Sequence, residues 1–519
     1  MLKKFRYLIA IISLLAVTML FTDFTGTASG YFGWLAKIQF VPALISLNLI
    51  ALAVIMVMTL LFGRIYCSVI CPMGIFQDVI SWIKRHIGPK SKRYNPYKYQ
   101  KAATITRISM LMLFAALFIT GFTHIVSASI AGLLDPYSGY GRISTSFFAP
   151  VWDWVNNILA ERSAENASYT FYAISRQTST ILTVVASVTA LIVILFAWFT
   201  GRGYCNKICP VGTILGYLSQ LSILRPVIDN TKCIGCRKCA HNCKASCIDP
   251  DTHTIDYTRC VTCFDCINNC KENAISYTFS HQSPKKTILK EDNIKKSFEK
   301  GHPDTGRRNF LAIGGVIASA IAINAAEKPY GSVVTTLKDK KRPIRKTPLA
   351  PPGALSIENF TNHCTACQLC ITSCPNSVLS TSTDFSTFMQ PRMDFSMGYC
   401  RPECNICSSV CPSGAIKPID LATKSSTKVG RAVVNTSICI SATGETSCGN
   451  CARHCPASAI LMVHTIHGDS SSPLRPAVDE SRCIGCGSCE YHCPVGNVAA
   501  IKSDYPAIHV EGIEIHHTI

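Results

Sequence analysis

An α-helical membrane domain of four to five spans, joined to small α+β domains wrapped around cysteine runs, is the fold class this sequence predicts. Three observations predict it. Long apolar stretches without a charge recur up to Thr200, cysteines dominate the remainder at fixed spacings, and only 16% of the 519 residues are charged. With 48% hydrophobic residues the chain is not disordered, and its apolar runs exclude a purely soluble enzyme. The length allows three or four domains. A net charge of +19 would ordinarily point to nucleic acid or an anionic surface, but the 29 cysteines change that reading.

The membrane elements come first. Tyr7–Phe21 is apolar behind Lys3, Lys4 and Arg6, and is short for a span. Val41–Phe62 is a 22-residue run without a charge, enough to cross about 30 Å of hydrocarbon as a helix. Ile108–Phe122 and Ile181–Phe199 are the third and fourth candidates. The stretch from Ser81 to Arg107 is dense in Lys and Arg, so the positive-inside rule assigns it to the cytoplasm. The segment from Thr123 to Ser179 then lies outside, with only Arg142, Arg162 and Arg176 as bases. These residues form a multi-pass domain of the bacterial inner membrane, 1–222.

Two short motifs sit inside it. Gly63-Arg64-Ile65-Tyr66-Cys67-x3-Cys71-Pro72 recurs 138 residues later as Gly201-Arg202-Gly203-Tyr204-Cys205-x3-Cys209-Pro210. Both copies follow an apolar run, which marks an internal duplication. Together Cys67, Cys71, Cys205 and Cys209 could complete one tetrathiolate site; the plainer alternative is redox-active or structural thiols.

Beyond residue 222 the cysteines fall into six runs. Cys233/Cys236/Cys239/Cys243 and Cys260/Cys263/Cys266/Cys270 define a domain over 223–280. Cys364/Cys367/Cys370/Cys374, Cys400/Cys404/Cys407/Cys411, Cys439/Cys448/Cys451/Cys455 and Cys483/Cys486/Cys489/Cys493 define another over 331–519. Each run ends in x3-Cys, and the later four continue with proline. This is the bacterial ferredoxin pattern: three close thiolates grip one [4Fe–4S] cube and the fourth serves the neighbouring cube. Zinc needs only paired Cys-x2-Cys knuckles and often a histidine, and disulfides need no such spacing. The reading is therefore α+β bacterial-type [4Fe–4S] ferredoxin domains, with six clusters and a seventh if the membrane pairs join. Crossover ligation in the first domain gives Cys233/Cys236/Cys239/Cys270 and Cys260/Cys263/Cys266/Cys243. An oxidised cube with four thiolates carries about −2, so seven nearly cancel the basic excess and no nucleic acid is required. Cys247 is left over, as a spare thiol or an alternative ligand.

The linker over 281–330 ends in Thr305-Gly306-Arg307-Arg308-Asn309-Phe310-Leu311 and an apolar stretch to Ala326. It reads as an internal twin-arginine export signal, or as a plain fifth span with a basic flank. Either places the four-run domain in the periplasm.

At its two Gly-Arg-x-Tyr-Cys-x3-Cys-Pro copies the chain resembles the NapH-type membrane ferredoxins, whose relatives include the nitrous oxide reductase regulator and a cytochrome oxidase assembly protein. From Thr305 onward, a twin-arginine signal followed by four cluster runs resembles the NapG-type partner subunit. The resemblance implies a fusion of the two subunits that oxidise menaquinol for periplasmic nitrate reductase, and a nested ligand order in the four-run domain, first run with fourth and second with third. Two departures stand out: Cys243-Lys244 and Cys270-Lys271 lack the usual proline.

No Cys-x2-Cys-His signals attached haem, no Gly-x-Gly-x-x-Gly follows a strand pattern, and no nucleophile–base constellation signals a hydrolase. With no cluster ligand expected in mid-membrane, a lipid-soluble quinone is the natural carrier across the bilayer. His124, Asp135 and Arg142 could meet a quinone headgroup, a structural role being the simpler reading of each. The expected function is electron transfer from the menaquinol pool to a periplasmic redox partner, making the chain a possible quinol dehydrogenase component. The rival is a redox maturation or regulatory factor for a metalloenzyme.

Overall fold

In the computed structural model, which describes residues 2–87, 97–122, 128–165, 171, 173–174, 176, 179–279, 341–466, 468–496 and 503–519, the first apolar run folds further than its hydropathy suggests. Helix α1 spans Leu2–Thr22, about 32 Å at 1.5 Å per residue. Its basic first turns stay helical because they are paired: Lys3 Nζ lies 2.8 Å from Asp265 and Arg6 Nη1 3.0 Å from Asp78.

The second run is a correction. Val41–Phe62 is not one helix but two, α2 (Phe40–Ile45) and α3 (Leu49–Phe62). Leu47 takes a left-handed φ of 53° between them, and the Asn48 side chain caps α3 by accepting from Ala51 N at 3.1 Å. At 14 residues α3 is shorter than the hydrocarbon core is thick. Three helices among the described residues are long and apolar enough to cross a membrane: α1, Thr104–Gly121 and Thr180–Thr200. The segment with Arg307, Arg308 and Phe310–Ala326, like His124, lies outside the described residues.

Helices α4 (Pro72–Ile87), α5 (Thr104–Phe122), α6 (Pro136–Ile143), α7 (Ala149–Glu165) and α8 (Thr180–Thr200) complete the membrane domain with α9 (Pro210–Leu218). The two motif copies form re-entrant hairpins. After α3 and after α8 the chain makes a short helical turn, Tyr66–Val69 or Gly203–Lys207, and returns along α4 or α9. Ser13, near the middle of α1, donates to Ile70 O at 3.4 Å.

The two-run domain pairs β1 (Leu224–Ile228) with β4 (Ile275–Phe279) and β2 (Ile248–Asp249) with β3 (Thr254–Ile255), all antiparallel, over a core of Ile228, Ala240, Val261 and Ile275. It packs against the Lys3 end of α1. The four-run domain holds the hairpin pairs β5 (Leu379–Thr381) with β6 (Pro391–Met393) and β8 (Ile460–His464) with β9 (Leu474–Val478), and the pair β7 (Thr427–Val434) with β10 (Ile508–Thr518). It sits at the Phe21 end. One buried apolar cluster runs from Phe21 and Tyr137 into Leu369 and Phe395, so this domain shares a core with the membrane helices. Gly141 permits the contact: a Cβ there would stand 2.6 Å from both Cys367 O and the Phe21 ring.

Candidate iron–sulfur sites

Local backbone shape explains why the runs can cradle a cluster. In four of them the second and fourth residues after the leading cysteine are left-handed: Gly235 and Arg237, Thr262 and Phe264, Ala366 and Gln368, Gly485 and Gly487. Alternating hand turns successive N–H groups toward one point, a nest that suits an anionic cluster. Non-glycine residues adopt this shape only at a cost, so its repetition marks a functional constraint.

In the two-run domain Cys233, Cys236, Cys239 and Cys270 line a cavity of about 70 Å³. Cys243, Cys260, Cys263 and Cys266 line another of about 20 Å³ together with Cys247. The crossover is as the spacing predicts. Cys247 is no bystander: its Sγ lies 3.5 Å from Cys243 Sγ, and it bonds to Cys260 as well.

The four-run domain overturns the nested order. Cys411 faces Cys364, Cys367 and Cys370. Cys374 faces Cys400, Cys404 and Cys407. Cys493 joins Cys439, Cys448 and Cys451, and Cys455 lies with Cys483, Cys486 and Cys489. Adjacent runs pair, first with second and third with fourth. Each adjacent pair is joined through its own β-hairpin, whereas nesting would close one much longer loop, from the first run to the fourth.

The membrane cysteines converge. Cys67, Cys71, Cys205 and Cys209 face one another at the tips of the two hairpins, each at most 4% exposed. Duplication gives them a reciprocal clasp. Arg64 of the first copy donates to Cys205 O at 3.4 Å, and Arg202 of the second donates to Cys67 O at 2.6 Å. Gly74 and Gly212 make room, since a Cβ at either would lie 2.1 Å from the same two carbonyls. Measured along α1, the tetrad lies between the levels of Arg6, which donates to Ser68 O at 3.4 Å, and Ser13. The tetrad thus lies within the helical domain, level with the Lys3-side half of α1.

Charge around the tetrad is unbalanced until an anion is supplied. Asp78 is bound by Arg202 at 2.8 Å, Arg6 at 3.0 Å and Lys244 at 3.2 Å. Lys244 also reaches Asp265 at 3.2 Å, which binds Lys3. With Arg64, five cations share two carboxylates in a mostly buried network between the tetrad, which Arg202 and Arg64 face, and Cys263 of the two-run domain, which Arg6 and Lys244 face. Unpaired buried charge is costly, and a tetrathiolate cube of about −2 offsets it. Among the described residues no three Cys, His, Asp or Glu side chains are drawn close enough to share a single metal ion; a cube, bound at separate corners, needs its thiolates wider apart. In the soluble runs burial pushes the Cys239 thiol up to about 11 and the Cys486 thiol up to about 12. These thiols give up their protons when a cationic iron centre takes their place.

Two further sequence candidates, Asp135 and Arg142, lie apart from the thiol sites in roles within the backbone scaffold. Asp135 caps α6, accepting from Ser138 N at 2.9 Å and Ser138 Oγ at 2.6 Å. Arg142 is fully buried and donates to Gly132 O at 3.0 Å. Asp78 and Asp265 carried no motif that would have flagged them, because their partners come from distant segments.

A 4Fe-4S binding domain profile matches residues 46–90 and 182–227, the two membrane repeats, and a 4Fe-4S dicluster domain profile matches 446–497. The chain is 24% identical over 200 residues to the ferredoxin-type protein NapH of Haemophilus influenzae, covering 38% of this chain and 54% of that protein. It is 23% identical over 214 residues to NapH of Escherichia coli, covering 40% and 55%. It thus spans about half the length of these relatives. Against the methylamine utilization ferredoxin-type protein MauM of Methylorubrum extorquens it is 30% identical over 206 residues, covering 38% of this chain and 89% of that one. No solved structure matches. The chain carries 4Fe-4S binding domains, and it belongs to the ferredoxin-type family that MauM represents.

Proposed function

We propose that this protein works in the bacterial inner membrane, taking electrons from menaquinol and passing them through the four-run domain to a periplasmic reductase. Clusters supply reversible one-electron chemistry, and the protein tunes their potentials by burial and hydrogen bonding. The observation that carries the reading is the seating of the four-run domain on the helix ends, with Cys367 against Gly141 and α1. Its first two thiolate sites thus lie where a lipid-soluble reductant can approach. The fusion with a NapG-like unit, the fifth span and twin-arginine export belong to this reading. So does its orientation: the Lys3 end of α1 faces the cytoplasm, and residues after about 330 lie outside. The anaerobically purified protein is expected to oxidise a menaquinol analogue at turnover rates when a soluble one-electron acceptor is present. Reduction only by a soluble one-electron donor, with no response to the quinol, would exclude it.

The tetrad favours a second reading. It lies between the two ferredoxin units, and Arg64 reaches Thr258 O of the two-run domain at 3.1 Å while Arg142 stands within electrostatic reach of Tyr204 and Cys367. That supports a cytoplasmic donor feeding an outer acceptor, as a redox maturation or regulatory factor for a metalloenzyme would require.

A further inference from the structure

We propose that the ring of a lipid quinone binds in the cavity enclosed by α7, the start of α8 and the first hairpin of the four-run domain. This rests on the quinol reading above and gives it an address. The cavity measures about 340 Å³, within the range of small-molecule sites. Pro150, Trp154, Leu182, Ile371 and Leu379 supply apolar wall, while Thr145, Ser146 and Arg176 supply polar atoms.

Those polar atoms are built in and unspent. A π-helical turn, Ser144–Phe148, precedes α7 and brings Thr145 and Ser146 to the cavity wall; such turns often mark functional sites. Ser146 is 4% exposed, and its Oγ, the Thr145 Oγ1 and the Arg176 Nη1 have no hydrogen-bond partner among the described residues. The Arg176 guanidinium cannot swing away, because Nε lies 3.2 Å from Asp153 and Nη2 donates to Thr22 O at 2.8 Å. The two N–H groups of Nη1 are left, fixed in direction, beside two hydroxyls. That set satisfies a ring bearing carbonyl or hydroxyl oxygens; an acyl chain would leave every one of these atoms unsatisfied.

Access and neighbourhood narrow the class. Val151, Trp152, Trp154 and Val155 on α7 are 40–63% exposed, an apolar flank beside the start of a bilayer-length helix. Trp in such a place suits a membrane interface. The ligand therefore arrives from lipid. Cys374 lines the same cavity, and it faces Cys400, Cys404 and Cys407. A lipid-soluble, oxygen-bearing ring beside a cluster ligand is a quinone or quinol. The cavity continues past Arg176 and Cys374 into a second of about 330 Å³ bordered by Tyr399 and Tyr491. Asp135 and Arg142 line neither cavity.

The test uses the full chain, purified anaerobically in detergent, with a photoreactive azido-naphthoquinone and peptide mapping. Label is expected within 145–157 or 371–381, displaced by excess menadione. Label confined to other segments overturns the site. Arg176→Gln and Ser146→Leu should each weaken naphthoquinone binding about tenfold or more, with iron content and the cluster resonance signals unchanged. Ser146→Leu fills the cavity without breaking an ion pair, so it stands if Arg176→Gln folds poorly. Unchanged affinity in Ser146→Leu overturns the proposal. Quinol oxidation that survives both variants sinks this site and leaves the electron route standing. Labelling in the cavity without reduction by a quinol analogue sinks the route and leaves the site.

Discussion

Lys244 stands where a run of this kind ordinarily continues with proline, and the structure gives the reason. Its ammonium bridges Asp78 and Asp265, and its carbonyl accepts from Arg202 N at 2.8 Å, so one side chain ties the two-run domain to the membrane hairpins. Removing the centre of that network is expected to be severe. Asp78→Asn leaves Arg6, Arg202 and Lys244 short of a counter-charge and should cost about 3–5 kcal/mol, read as a lowered melting temperature of the purified protein. Cys247→Ala is the gentler change. It deletes hydrogen bonds to the sulfurs of Cys243 and Cys260 while leaving four ligands, so iron content should hold. The potential of that cluster should fall, which a redox titration followed by electron paramagnetic resonance would detect. The cysteines were legible in the sequence because their spacing is their function. Asp78 and Asp265 were not, since a single acid has no period and its partners come from distant segments.

Elements were harder to read than residues. Hydropathy measures a run's length but not its continuity, so Val41–Phe62 looked like one span although Leu47 and Asn48 break it. It also cannot see depth. The Cys-x3-Cys-Pro copies follow apolar runs, and only the folded hairpins bring their thiols together between the levels of Arg6 and Ser13. Ligand pairing followed resemblance instead of the short connections through β5–β6 and β8–β9, and the short connections won. The docking of the four-run domain needs glycine at two places, Gly132 against Thr365 O and Gly141 against Cys367 O. Gly141→Ala would press a methyl group into Cys367 O and the Phe21 ring, and overpacking of this kind costs about 1–3 kcal/mol. Limited proteolysis should release the four-run domain faster from this variant than from the parent.

Across the whole molecule the thiolate sites form a row, and its length is set by α1. Lys3 meets the two-run domain, Arg6 and Ser13 bracket the tetrad, and Phe21 meets Cys367. Seven cubes imply about 28 iron atoms per chain, against about 24 without the tetrad. Iron and acid-labile sulfide should give the higher figure and fall to the lower one in Cys67→Ser with Cys205→Ser; a parent value near 24 would remove the tetrad from the row. From Lys3 to Phe21 the helix rises about 27 Å, nearly the full hydrocarbon thickness. An electron relayed between the two ferredoxin units is, in the proposed orientation, a charge displaced across the insulating layer, worth about 2.3 kcal/mol for every 100 mV of transmembrane voltage. In the proposed orientation an energised membrane, positive outside, pulls electrons toward the four-run domain. The protein would then behave as a battery-assisted conductor, whose direction of flow depends on the cell's voltage as well as on the potentials of its clusters.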